Sequence, residues 1–209
     1  MTTPESLDCA RLIDAACSVR SGDYIGLNGR DEFNAAAYHA RDLIVSASHL
    51  LSIGQHAPAT FLAITAFEEI AKIKAGHTRS WGHSVSDVKR SKDPLFNHTN
   101  KHKIAVDPIL LIGSRLANAI GQTRVEEIFA GYADGSLSGL RERSLYFSRD
   151  STGLKLPNAE VSTQEAMEHI LISIEMFDDY FCFLTAEVSI ACEELNALFD
   201  SIAQQYRVR

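Results

Sequence analysis

Long apolar runs are missing from this chain. A bilayer crossing needs about 18 to 20 apolar residues, and the densest stretch, Ile109-Leu110-Leu111-Ile112, is far shorter. The N-terminus carries acids where a secretory signal has basic residues, and no uninterrupted apolar segment follows. No membrane contact and a cytoplasmic location are expected. Cysteine is scarce. Cys9, Cys17, Cys182 and Cys192 contain no C-x-x-C pair and are widely spaced for a zinc site. They sit among apolar helical positions and read as reduced core thiols. There is no glycine-rich phosphate loop, no G-x-S-x-G elbow and no H-E-x-x-H. Repeats and low-complexity tracts are absent too. The one tryptophan, Trp81, could stack on a base, but a single aromatic decides nothing.

What is present is an ordinary globular composition over 209 residues, enough for one domain spanning 1–209. The net charge of −7 argues against bulk nucleic-acid binding, but the charge is unevenly spread. From Arg79 to Lys103 there are six basic residues against two acids. From Asn158 to Tyr206 there is no Lys or Arg, while acids recur throughout. The basic segment could face phosphate, or it could dock against the acidic helix.

Helical spacing dominates, so the fold class is all-α. A first helix is expected over about 4 to 20, with Leu7, Ala10, Ile13 and Cys17 on one stripe, followed by a loop at Ser21-Gly22-Asp23. A second runs from about Asp31 to Ile53, stopped by Gly54. The third lies between Pro58 and Gly76, and its apolar residues Phe61, Ile64, Phe67, Ile70 and Ile73 spread around nearly the whole circumference. Such a helix is buried. A fourth starts near Leu95 and is kinked or restarted at Pro108. A short helix near Val125 to Tyr132 follows, and residues 141 to 147 read as extended. Ser162-Thr-Gln-Glu165 is a capping box that opens a long C-terminal helix over 162–206. That stretch reads as one helix or two in line, packed at home or across a dimer.

Glu68, Glu69 and Lys72 are ionisable groups on the helix that otherwise reads as buried, and buried charges need partners. Glu68 and Lys72 stand at i and i+4 in the favourable order for an ion pair. Glu69 then needs an Arg or His from elsewhere. His98 and His102 also stand at i and i+4 and project from one face, as a metal pair, an acid and base, or an interface contact. The Glu-x-x-His repeat of a di-metal bundle is missing, so no metal or cofactor is expected. Arg143, with Arg141 beside it, suits bidentate contact with carboxylate or phosphate. The single histidines His39, His49, His56, His77, His83 and His169 read mostly as surface or satisfied core residues. All of this fits either a structural ion-pair network or a site.

One ordered pattern goes further. Leu62-Ala-Ile-Thr-Ala-Phe-Glu-Glu-Ile-Ala-Lys72 is followed by Asn97-His-Thr-Asn-Lys-His-Lys103, and then by Arg143-Ser-Leu-Tyr-Phe147 with Pro157 beyond. This order resembles the AbiV family of abortive-infection proteins, itself similar to HEPN helical domains, over roughly residues 30 to 160. The resemblance implies a HEPN-like helical bundle that dimerises and serves in bacterial phage defence. It also implies metal-independent cleavage of RNA, by attack of a 2′-hydroxyl on the adjacent phosphate. His98 and His102 would move protons. Arg143, with Lys101 or Lys103, would hold the phosphate, and Tyr146 would contact RNA. Glu68, Glu69 and Lys72 would orient those groups. The chain departs from HEPN nucleases in one respect: no Arg is followed by His after four to six residues, since Arg79 to His83 leaves three and Arg90 to His98 leaves seven. Ser148 also stands where the family has an acid. A non-catalytic protein of the same fold, bound to a phage or host protein, is the alternative.

Overall fold

The computed structural model describes residues 4–22, 24–81, 85–106 and 114–208. Asp23, His83, Pro108 and the Ile109–Ile112 run, with the side chains of Leu7, Cys9, Ala10 and Trp81, lie outside the described residues.

Helices α1 (Pro4–Cys17), α2 (Gly29–Ser52) and α3 (His56–Trp81) open the chain. Glycine ends α2 as expected: Gly54 takes φ +78°, a left-handed turn that costs glycine little. Pro58 sits in the first turn of α3. This helix runs through the middle of the molecule, with Ala63, Ile64, Ala66, Phe67, Ile70 and Ala71 all buried. It packs against α2 on one side and, on others, against elements introduced below.

Gly76 does not end α3, which continues five residues further. Its role is close approach. The loop after α1 crosses α3 there, with Tyr24 donating to the Lys72 carbonyl at 3.1 Å and Leu27 N–H donating to the Gly76 carbonyl at 3.1 Å. A Cβ on Gly76 would fall 1.9 Å from the Tyr24 hydroxyl. Gly76→Ala is therefore expected to destabilise by about 1–3 kcal/mol through overpacking, despite alanine's better helix propensity. Urea denaturation checks this, and Tyr24→Phe in the same background should recover part of the loss.

After α3, β2 (Ser86–Asp87) forms a two-residue parallel pair with β1 (Val19–Arg20), the segment that follows α1. The expected fourth helix is divided. A 3-10 turn at Pro94–Phe96 is capped by Asp93, and α4 spans His98–Ala105 with Asn97 as its cap, accepting from Asn100 N–H at 3.0 Å. Then come α5 (Ser114–Ile120), α6 (Gln122–Asp134) and α7 (Ser138–Arg143). Residues 141–143 are thus helical rather than extended. A hairpin of β3 (Ser148–Asp150) and β4 (Gly153–Lys155) and the short α8 (Pro157–Glu160) lead to the C-terminal pair.

That pair is α9 (Thr163–Phe181) and α10 (Ala186–Val208). The capping box at Ser162 and Glu165 is formed. α10 is long, but it is not in line with α9. The chain reverses after Phe181, so that Tyr206 near the end of α10 donates to Glu168 near the start of α9 at 2.8 Å. α9 is buried continuously from Ala166 to Phe177, against α3, α2 and α10. Its buried acids draw arginines from other elements: Arg124 pairs with Glu168 at 2.8 Å, and Arg115 pairs with Glu175. The architecture is an all-α bundle around α3 and α9.

Candidate functional site

Three helices converge on one carboxylate. Glu68 projects from the middle of α3 with its side chain 2% exposed. From α4, His98, Lys101 and His102 stand at i, i+3 and i+4, one helical face turned toward α3. His98 Nδ1 lies 2.8 Å from Glu68 Oε2, Lys101 Nζ 2.5 Å from the same oxygen, and His102 Nε2 3.1 Å from Oε1. From α7, Arg141 brings its Nε to 3.5 Å of Oε1 and its guanidinium 4.8 Å over the Phe61 ring.

The electrostatics follow from that crowding. Burial pushes the Glu68 carboxyl up, but the His102 hydrogen bond, the charge and hydrogen bond of Lys101 and the His98 hydrogen bond outweigh it and bring it down to about 2. Glu68 is therefore ionised and can only accept hydrogen bonds. This assigns the His98 proton to Nδ1 and the His102 proton to Nε2. The two histidines then differ. His98 is 53% exposed, and its Nε2 is left for a partner from outside. His102 is 0% exposed, packed against Tyr132 and Phe67, with its Nδ1 buried and unpaired. Behind it Tyr132 shares a 2.7 Å hydrogen bond with His169, a buried histidine whose burial lowers its pKa to about 4.

The other expected site residues are placed as follows. Lys72 does not pair with Glu68. It lies between Glu68 and Glu69 around α3 and turns to Glu69, at 3.3 Å, above the Tyr24 ring. The Glu68 carboxylate is already held by four groups from other helices, and the Glu69–Lys72 pair is partly exposed on a neighbouring face. Arg143 is exposed, and among the described residues it makes no ion pair; Arg141 is the arginine at the carboxylate. Lys101 is buried and committed to Glu68, whereas Lys103 is half-buried and Tyr146 exposed.

The basic segment splits. Arg79 is fully buried, forked onto Asp93 at 2.7 and 3.0 Å. Lys89, Arg90 and Lys92 are exposed and line an open groove of about 600 Å³. Asn97 and Asn100, which bracket His98 in sequence, line its other side.

The class is an all-α, HEPN-like bundle with a polar centre, in which a buried carboxylate on α3 ties two imidazoles and an ammonium from α4 and a guanidinium from α7. The family model of AbiV, a HEPN-type family, matches residues 30–177, and the chain belongs to this family. Membership points to a role in abortive infection, the antiphage response. No curated protein and no solved structure matches the chain. Among the described residues, no helix is long and apolar enough to cross a membrane.

Proposed function

We propose that the chain is an abortive-infection effector that cleaves RNA without a metal, with His98 as the proton-moving group. The observation that carries this reading is the His98–Glu68 dyad: a half-exposed imidazole whose inner nitrogen is held by a buried carboxylate. An ionised partner fixes ring orientation and tautomer and stabilises the imidazolium once it forms. The 2′-hydroxyl oxygen attacks the adjacent phosphorus while its proton passes to His98 Nε2. The P–O5′ bond breaks, and the departing oxygen takes a proton from water. The products are a 2′,3′-cyclic phosphate and a 5′-hydroxyl, and His98 then returns its proton to solvent. Arg141, with Lys103 and the exposed Arg143, supplies charge for the phosphorane. Lys89 and Lys92 in the groove beside α4 track the RNA backbone, and Tyr146 offers a stacking face. His102, Lys101 and Glu68 position these groups, and Glu69 and Lys72 stand outside the reacting set. The arginine here comes from α7 rather than from the histidine's own sequence neighbourhood. This accounts for the missing Arg–His spacing.

A second reading has its own observation. Tyr146, Phe147 (70% exposed), Leu154 and Leu156 are exposed large apolar side chains along one strip of chain, the β3–β4 hairpin and its flanks. A strip of that kind suits protein docking, whether a second copy in a homodimer or a phage or host protein that triggers the effector.

The experiment is cleavage of total bacterial RNA by the purified chain in EDTA, with end-group analysis. Cyclic-phosphate ends are expected, and His98→Ala should cut the rate by about 10²–10⁴-fold. No cleavage, with or without phage extract, would favour docking. Phe147→Ser and Leu154→Ser would then abolish partner capture while leaving the fold intact.

A further inference from the structure

Three side chains outside the Glu68 cluster meet where α9 turns back into α10. Asp178 and Cys182 stand one helical turn apart at the end of α9, and Cys192 faces them from α10. One carboxylate oxygen and two sulfurs lie within 4.8 Å of one another. Cys192 is buried and the other two are half-buried. The two cysteines are far apart for a sequence motif, and the reversal at 182–185 brings them together.

The arginines that serve this hairpin are taken by Glu168, Glu175 and Glu194. Among the described residues Asp178 and Asp179 make no ion pair. Asp178 accepts from Asn196 at 3.3 Å and from the Cys192 thiol. Asp179 has a buried Oδ2 without a hydrogen-bond partner. Two sulfurs and a carboxylate oxygen in a negative setting match the donor preference of thiophilic divalent ions. These take such ligands in a tetrahedral set and leave a fourth position for water.

We propose that Asp178, Cys182 and Cys192 hold one thiophilic divalent cation of the zinc class, tying the end of α9 to α10. Both thiols release their protons to solvent as the metal–sulfur bonds form, so the ion replaces two protons and the cluster keeps its net charge. The ion would sit apart from the RNA chemistry. Resistance of cleavage to EDTA and metal binding here are therefore separate outcomes.

The test uses the full chain, reduced with a phosphine and freed of metal, titrated with Co²⁺ as a spectroscopic probe. One Co²⁺ per chain is expected, with a sulfur-to-cobalt charge-transfer band and the visible bands of a tetrahedral ion, both displaced by Zn²⁺. Cys182→Ser and Cys192→Ser should lose the band, and Cys17→Ser should keep it. Asp178→Asn, nearly isosteric and able to fold where a cysteine variant fails, should weaken binding at least about tenfold. Zn²⁺ at about a hundredfold excess over its Kd should raise the Tm of the wild type by about 5–10 °C. No charge-transfer band from the reduced wild type, a band that survives Cys182→Ser, or unchanged affinity in Asp178→Asn would overturn the proposal.

Discussion

Glu68→Ala is expected to cost about 3–5 kcal/mol, because it strands the buried Lys101 and the partly buried Arg141 without their counter-charge. For a chain of this length that lowers the Tm by about 6–20 °C. Glu68→Gln keeps the shape but loses the charge, and it isolates the electrostatic part. That part depends on pH with a definite sign. The carboxyl lies at about 2 in the folded chain against an ordinary 4.5. The stabilisation is therefore complete above the unfolded value and is lost as pH falls from about 5 toward 2. The shift corresponds to about 3 kcal/mol. Urea denaturation of wild type and Glu68→Gln from pH 6 to pH 3.5 checks this. The gap between them should narrow steadily below pH 5, and a constant gap would contradict the assignment.

Arg79→Ala should be about as damaging, for a reason unrelated to the site. Both partners of the Arg79–Asp93 pair are fully buried. Besides the fork, Arg79 Nε donates to the Ala16 carbonyl at 2.7 Å and Nη1 to the Tyr24 carbonyl at 3.0 Å. Asp93 also accepts from Ser21 Oγ and from Leu95 N–H. One guanidinium thus binds the end of α1, the following loop, the end of α3 and the turn before α4. Its removal leaves the buried Asp93 carboxylate without a counter-charge and takes a donor from the Ala16 and Tyr24 carbonyls, at a cost of about 3–5 kcal/mol. Arg79→Lys should recover little, since an ammonium cannot reproduce the fork. Arg79→Met with Asp93→Asn, which removes both charges, should recover more. The urea midpoint of each variant separates these cases.

Part of this was legible in the sequence. The all-round apolar pattern of residues 61–73 marked a buried helix, and three ionisable groups on it marked a polar centre. The i and i+4 spacing of His98 and His102 put both imidazoles on one face, and the structure turns that face toward Glu68. What could not be read was which charges meet. Glu68 and Lys72 had ideal local spacing, but tertiary partners claimed the carboxylate first. Arg141 and Arg143 are about 200° apart on a helix, so the extended reading of residues 141–147 hid which of them faces inward. Arg79 counted as part of a basic segment because Asp93, its partner, lies beyond a loop. The reversal between α9 and α10 has no Gly or Pro. Its left-handed residue is Phe183, at φ 69° and 90% exposed, and nothing in its side chain announces a turn. The spacing of apolar residues simply runs on across it, which is also why Cys182 and Cys192 looked unrelated.

In the proposed site one buried carboxylate holds two histidines for different purposes, His98 to move protons and His102 to support the fold. The most direct measurement is the Tm and the RNA-cleavage rate of His98→Ala and His102→Ala, taken side by side. His98→Ala is expected to keep its Tm within a few degrees and lose cleavage, while His102→Ala loses about 2–4 kcal/mol of stability from the cavity and the broken hydrogen bond. Cleavage that survives His98→Ala at the wild-type rate would contradict the proposal.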